Sequence, residues 1–258
     1  MRFVKSFYMA LGMFTAIPLP FHIWDEKLAT VMVAQLPLIG LLIGAIWWGS
    51  ISLLVSVLAD FNLPVMVVSA LLTVAPFLVA GFIHLDGYMD TSDALLSYRP
   101  MEDKLRILKD PTVGAFAVVM LVILFFLQFA SVFSVVIGGR YWAMLIVICV
   151  ISRGCSALAI FMLRHMPASN YAAMLGDIGK EVKAYVSSMV LIAVGFAFFY
   201  AGFIGLIVSA AVILGYTAAM RKAYKGFDGV SGDLLGYSMV IGELCGLITL
   251  ALLQGVII

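Results

Sequence analysis

The run Val113–Ile137, VGAFAVVMLVILFFLQFASVFSVVI, decides the fold class, because it carries no charge over its whole length. About 20 apolar residues suffice for an α-helix to cross the hydrocarbon core of a bilayer, so this stretch predicts a membrane span. Working outward, the pattern repeats. Upstream, Val65–Ile83 and Val31–Leu58 are long enough, the latter with Pro37 near its start. Downstream, Tyr141–Leu163 is a span with Arg153 inside it. Ala184–Ala219 is apolar throughout, with Gly202 and Gly205 near its middle, and reads as a tight helical hairpin of two shorter spans. Tyr237–Ile258 is the last span and contains Glu243. The expectation is an all-α, polytopic integral membrane helical bundle of about seven transmembrane spans, forming a single membrane-embedded domain over residues 1–258, with no internal repeat and no soluble domain.

Composition agrees. Of 258 residues, 64% are hydrophobic and 11% charged, against roughly half and a quarter in soluble domains. A soluble fold could not hide that much apolar surface, whereas lipid solvates it, provided backbone groups are satisfied within helices. Cys149, Cys155 and Cys245 all lie in apolar stretches without CxxC spacing. They read as small hydrophobic residues rather than disulfide or zinc ligands. The N-terminal segment 1–30 carries Arg2 and Lys5, then an apolar run broken by Pro18 and Pro20. No small-residue cleavage site follows, so an interfacial or re-entrant helix is expected rather than a cleaved signal peptide.

With that segment on the surface, alternate loops fall on opposite faces. One face receives residues 1–30, 84–112, 164–183 and 220–236, with thirteen Lys and Arg; the other has only Arg140. The positive-inside rule makes the rich face cytoplasmic. Nearly all the carboxylates share it, so a site there would open to the cytosol.

The most polar interval is the acidic segment 84–112, which opens HLDGYMDTSD. Asp86, Asp90 and Asp93, spaced i, i+4, i+7, would share one helix face, a turn apart. Aligned carboxylates repel one another unless a cation lies between them. Mg²⁺ is the natural partner, a hard ion bound by oxygen and completed by water and substrate phosphate. Asp110 is a fourth candidate ligand. The plain alternative is a solvated acidic helix face. His84 lies off that face and reads equally as an acid–base group or a satisfied interfacial histidine. Lys104, Arg106 and Lys109 suit an anionic substrate such as a pyrophosphate, or simply decorate a cytoplasmic loop. Arg153 is costly within a span and needs a partner or a wet cavity. Glu243 is the obvious partner, in a structural ion pair or a substrate clamp. In the Gly-rich cytoplasmic loop 220–236, glycines let backbone N–H groups approach an anion, and no Walker motif is present. There Asp233 is a further metal ligand, a general base or a turn residue, with Ser231 beside it.

Taken together, these residues resemble the cobalamin synthase family, the adenosylcobinamide-GDP ribazoletransferases. The match is carried by His84-x-Asp86-Gly87-x-x-Asp90-Thr91-x-Asp93, by Lys109-Asp110 and Gly114-Ala115-Phe116, by Ile17-Pro18-Leu19-Pro20, and by Ser231-Gly232-Asp233-x-x-Gly236 with Glu243. It covers essentially the whole chain. Ala16, Ala94, Pro111-Thr112 and Ser231 depart from the usual family residues. The resemblance implies a Mg²⁺-dependent membrane enzyme of cobalamin biosynthesis in a bacterial or archaeal cytoplasmic membrane. A hydroxyl of α-ribazole, or of its 5′-phosphate, attacks the cobinamide-linked phosphorus of adenosylcobinamide-GDP, and GMP leaves. On that reading Asp86, Asp90 and Asp93 hold one or two Mg²⁺, and a carboxylate or His84 takes the proton. Lys104, Arg106, Lys109, Arg153, Ser231, Asp233 and Glu243 contact substrate. The expected partners are these two small molecules and the lipid bilayer, with no nucleic acid; a homo-oligomer is compatible with the sequence. Two rival readings remain open: another Mg-dependent membrane alcohol phosphotransferase of the CDP-alcohol type, and a cation-coupled transporter using Arg153 and Glu243.

Overall fold

The computed structural model describes residues 2–61, 63–167, 169, 171, 174–176 and 178–255. The tail of the expected last span, 256–258, and parts of the loop 164–183 lie outside them. The described residues form helices joined by short connections, with a single isolated parallel bridge between His165 and Val230. The helices are α1 (Arg2–Phe14), α2 (Ala29–Ala34), α3 (Leu36–Phe61), α4 (Val65–Ala80), α5 (Ile83–Leu96), α6 (Met101–Ile107), α7 (Ala115–Gly138), α8 (Met144–Met162), α9 (Lys180–Phe227) and α10 (Gly232–Gly255).

Five helices (α3, α7, α8, α9 and α10) are long and apolar enough to cross a membrane alone. The α4–α5 pair passes only as a bent pair. The 48-residue α9 is two arms, broken at Gly202 with φ 57° and ψ −136°. That backbone is accessible to glycine and costly for other residues. The chain then doubles back so sharply that Gly205 packs against the backbone of Ala197, the tight hairpin expected from the sequence. Counting both arms and α4 gives seven crossings. α1 has thirteen residues, a length of about 20 Å, shorter than the hydrocarbon core.

α8 is the central helix, buried along nearly its whole length and packed against α3, α9 and α10. Its approach to α3 is set by Gly40 and Gly44, four residues apart. A Cβ on Gly44 would fall 2.6 Å from the Cα of Ile146, and one on Gly40 would collide with the Cys149 carbonyl. Small residues at this spacing let membrane helices touch backbone to backbone. In α4, Pro76 has no N–H to give the Leu72 carbonyl. Trp47 Nε1 of α3 donates to that oxygen instead at 2.8 Å, and Gln128 Nε2 of α7 donates to the Thr73 carbonyl at 3.1 Å. The Trp47 bond thus replaces the one the proline removes, as an apolar medium requires, and the Gln128 bond ties α7 to the same turn.

α4 ends at Gly81, whose φ of 72° closes the helix, followed by Phe82 at φ 61°. Phe82 is a non-glycine residue in the left-handed region, where backbone strain is stored. The resulting bend of 96° turns α5 out of line with α4, so a crossing by α4 leaves α5 along the membrane face. α5 buries Leu85, Tyr88, Thr91 and Leu95, and Tyr88 stacks on Tyr237 of α10 with centroids 5.9 Å apart.

Candidate active site

α5 and the N-terminus of α10 meet at unusually close range. A Cβ on Gly87 would lie 2.7 Å from the Cα of Asp233, and one on Gly236 would lie 3.0 Å from the His84 carbonyl oxygen. The glycine beside Asp86 and the glycine three residues past Asp233 are therefore two halves of one crossing, which brings Asp86 and Asp233 to the same cavity. Ser231 starts α10: its carbonyl accepts from Leu235 N at 3.1 Å and its hydroxyl from Leu234 N at 3.5 Å. Asp233 sits in the first turn, where the helix dipole favours negative charge.

The cavity measures about 270 Å³. Of the residues lining it, Asp86 is exposed and His84 and Asp233 are half-buried, which marks its mouth, whereas Ser156, Ile160, Ser169, Tyr171 and Met239 are buried and form its inner wall. His84 keeps some accessible surface, but its Nε2 is buried and has no hydrogen-bond partner among the described residues. Burial first, then the Arg153 guanidinium, push the imidazole down to about 3. It is therefore neutral at physiological pH and, in this cavity, a weak base.

α5 is an unbroken helix through Asp86, Asp90 and Asp93, so the three follow one another along one face. Asp90 is pushed up to about 6, by burial first and then by the carboxylates of Asp86, Asp233 and Asp93. Asp93 reaches the start of α7, where its Oδ1 accepts from Ala117 N at 3.4 Å. Any Cβ at position 114 would overlap its carboxylate, which explains the glycine in Gly114-Ala115-Phe116. Asp110 holds its own loop, accepting from Thr112 N at 2.9 Å and Thr112 Oγ1 at 2.6 Å. These bonds keep its carboxyl below the ordinary range.

Lys104 and Arg106 stand on α6 and Lys109 follows it; none lines the cavity. Arg106 lies 3.7 Å from Asp103 on the surface. Arg153 is 2% exposed and bonds to Glu243, whose Oε1 also accepts from Ser152 Oγ at 2.7 Å. This buried pair ties α8 to α10 behind His84. The Gly-rich segment is mostly helical: α9 runs to Phe227 and α10 begins at Gly232. Only four residues separate them. Val230 N donates to Arg164 O at 2.9 Å, Met166 N to Val230 O at 3.0 Å, and Arg164 also bonds to Asp228. Ser156, Ser169 and Tyr171 were not expected in the cavity; the polar spacing Ser152-Arg153-x-x-Ser156 inside a span was a signal for Ser156 alone.

Oxygen is the donor at the cavity mouth, which suits a hard cation such as Mg²⁺. Among the described residues no three His, Cys, Asp or Glu side chains converge at metal-binding distance. A magnesium site needs fewer, since one or two carboxylates with water and substrate phosphate commonly complete it.

The profile of the family described as cobalamin-5-phosphate synthase matches residues 6–251. Curated relatives named adenosylcobinamide-GDP ribazoletransferase extend along the whole chain. One from Clostridium perfringens (strain ATCC 13124) is 37% identical over 252 residues, covering 97% of this chain and 99% of the relative. One from Clostridium botulinum (strain Alaska E43) is 36% identical over 251 residues, with 96% and 97% coverage. One from Listeria monocytogenes serotype 4b (strain CLIP80459) is 34% identical, with 98% and 100% coverage. No solved structure matches. A profile match over nearly the whole chain, joined to a carboxylate cavity built from the motifs that carry it, shows that this chain belongs to the cobalamin-5-phosphate synthase family.

Proposed function

We propose that the protein is an adenosylcobinamide-GDP ribazoletransferase, joining α-ribazole or its 5′-phosphate to adenosylcobinamide-GDP with release of GMP, at a membrane face open to the cytosol. The observation that carries the reading is the meeting of Asp86 and Asp233, with Asp90 beside them, at the mouth of a cavity reached by His84. In the reaction an acceptor hydroxyl oxygen forms a bond to the cobinamide-linked phosphorus. The bond from that phosphorus to the oxygen bridging to GMP breaks, and GMP leaves with that oxygen and its electron pair. The acceptor proton goes to His84 Nε2 or to a carboxylate of the group. Such phosphoryl-type transfer is governed by positioning and charge stabilisation.

Asp86 and Asp233 would hold Mg²⁺ against the substrate pyrophosphate, with the Asp90 carboxylate adding negative charge beside them. The ion would supply charge neutralisation for the attacking and departing oxygens. Asp93, anchored at the start of α7, keeps the far end of α5 in place. Lys104, Arg106 and Lys109, on the same face as the acids, offset charge on the departing nucleotide. The full-length family match favours neither a CDP-alcohol enzyme nor a transporter.

Purified protein in lipid nanodiscs, given adenosylcobinamide-GDP and α-ribazole with Mg²⁺, should release GMP and form adenosylcobalamin stoichiometrically, and chelation with EDTA should stop it. Absence of the corrinoid product under these conditions overturns the assignment.

A further inference from the structure

We infer that the inner part of the cavity is the acceptor subsite, holding the neutral base and sugar of α-ribazole with the reacting hydroxyl turned to Asp86 and Asp233. This rests on the reaction proposed above and adds which substrate enters and which stays outside. The walls come from distant parts of the chain: Met13 and Phe14 of α1, Leu36 of α3, Ser156 and Ile160 of α8, and Met239 of α10.

Size comes first. A cavity of about 270 Å³ lies at the small end of small-molecule sites. It cannot take a corrin macrocycle. Charge comes next. Among the described residues no Lys or Arg lines it, its mouth carries two carboxylates, and the guanidinium of Arg153 is already engaged by Glu243. An anionic phosphate has no counter-ion inside, so phosphates stay at the mouth and the group that enters is neutral.

Hydrogen bonding then separates the two nucleosides of the reaction. The hydroxyls of Ser156 and Ser169, 1% and 7% exposed, are buried without a hydrogen-bond partner among the described residues, as is Nε2 of His84. The hydroxyl of Tyr216 lies beside Ser156 as a hydrogen-bonding neighbour, without a well-aligned bond between the two among the described residues. Buried groups of this kind are normally satisfied, and a bound ligand is one way to satisfy them. They are few and set among Phe14, Leu36, Ile160 and Met239, apolar side chains that suit a benzimidazole-type ring. Guanine presents hydrogen-bonding groups along most of its edge and would leave several unmet against these walls. The donor's guanosine therefore lies outside the cavity.

Two substitutions and two measurements test this in nanodisc-held protein. Ser156→Ala and Ile160→Trp are each assayed with both substrates varied, and α-ribazole alone is titrated by calorimetry without donor or metal. Loss of one hydroxyl bond should weaken α-ribazole binding about 3- to 10-fold. Filling the cavity at Ile160 should raise KM for α-ribazole at least about tenfold. KM for adenosylcobinamide-GDP should stay within about twofold in both. A rise confined to the donor's KM, or unchanged α-ribazole binding in both variants, overturns the subsite assignment while leaving the reaction standing. Absence of turnover in the unmodified protein instead removes the reaction and this assignment with it. Ser156→Ala removes one oxygen, so its melting profile should match the parent and its reading stands if Ile160→Trp fails to insert.

Discussion

Burial and the neighbouring carboxylates of Asp86, Asp233 and Asp93 hold the Asp90 carboxyl up at about 6, against an ordinary 3.8. The native state therefore keeps a proton that the unfolded chain has lost between these values, so metal-free stability is highest below the lower value and falls as pH rises through the upper. Asp90→Asn removes that dependence. Its Tm in EDTA at pH 7 should exceed the parent's, and the difference should shrink toward pH 4. The same variant should lose at least about 10² in turnover, since it removes charge that positions the transferred group. Near-normal turnover would remove Asp90 from the site. A stabilised but inactive protein also answers the objection that the variant merely misfolds. At the opposite end of the scale stands Arg153, 2% exposed against Glu243 at 16%. Replacing one partner strands a buried charge, which typically costs about 3–5 kcal/mol. Glu243→Ala should lower the melting temperature sharply, and Arg153→Met with Glu243→Leu should recover most of the loss. A double variant as unstable as the single one would show that the pair contributes more than mutual neutralisation.

The elements are held together by close approach more than by bulk. α5 and α10 touch through Gly87 and Gly236, so any side chain at either position must push the Asp86 helix away from Asp233. Gly87→Val should abolish transfer while leaving the α8–α10 pair intact; retained crosslinking between cysteines placed across α8 and α10, with activity gone, is the expected outcome. The α4 carbonyls around Pro76 give a second test. Replacing Gln128 by Leu removes the bond from α7 to the Thr73 oxygen and should cost about 0.6–1.7 kcal/mol, from the mean to the largest value for such bonds between membrane helices. A neutral result would mean that the oxygen finds another donor. Neither glycine crossing was legible beforehand, because a glycine in a hydrophobic run has the same sequence appearance whether it faces lipid or a neighbouring backbone.

For the whole molecule, seven crossings among the described residues place the α4–α5 bend, α6, residues 164–166 and the α9–α10 turn on one side, and the Gly202 turn with Arg140 on the other. Single cysteines at exposed Tyr98 and Arg140 should react with an impermeant maleimide from opposite sides of sealed vesicles, in a background lacking Cys149, Cys155 and Cys245. Labelling from one side only would rule out this topology.

The sequence by itself determined the membrane fold, since apolar run lengths are set by bilayer thickness and need no knowledge of partners. It also determined that Asp86, Asp90 and Asp93 follow one helix face, because that depends only on a 3.6-residue turn, and that Arg153 needs a counter-charge. Tertiary structure alone decided that Asp233 joins the group and that Asp93 instead reaches the start of α7, whereas Asp110 holds its loop through a local bond to Thr112. It also decided that Ser156 and Ser169 line the cavity, 77 and 64 residues before Asp233 in the chain. The reason is common to the three tertiary outcomes. Which side chains share a cavity depends on which helices can approach to within backbone contact, and that is a property of pairs of helices rather than of any one stretch of sequence.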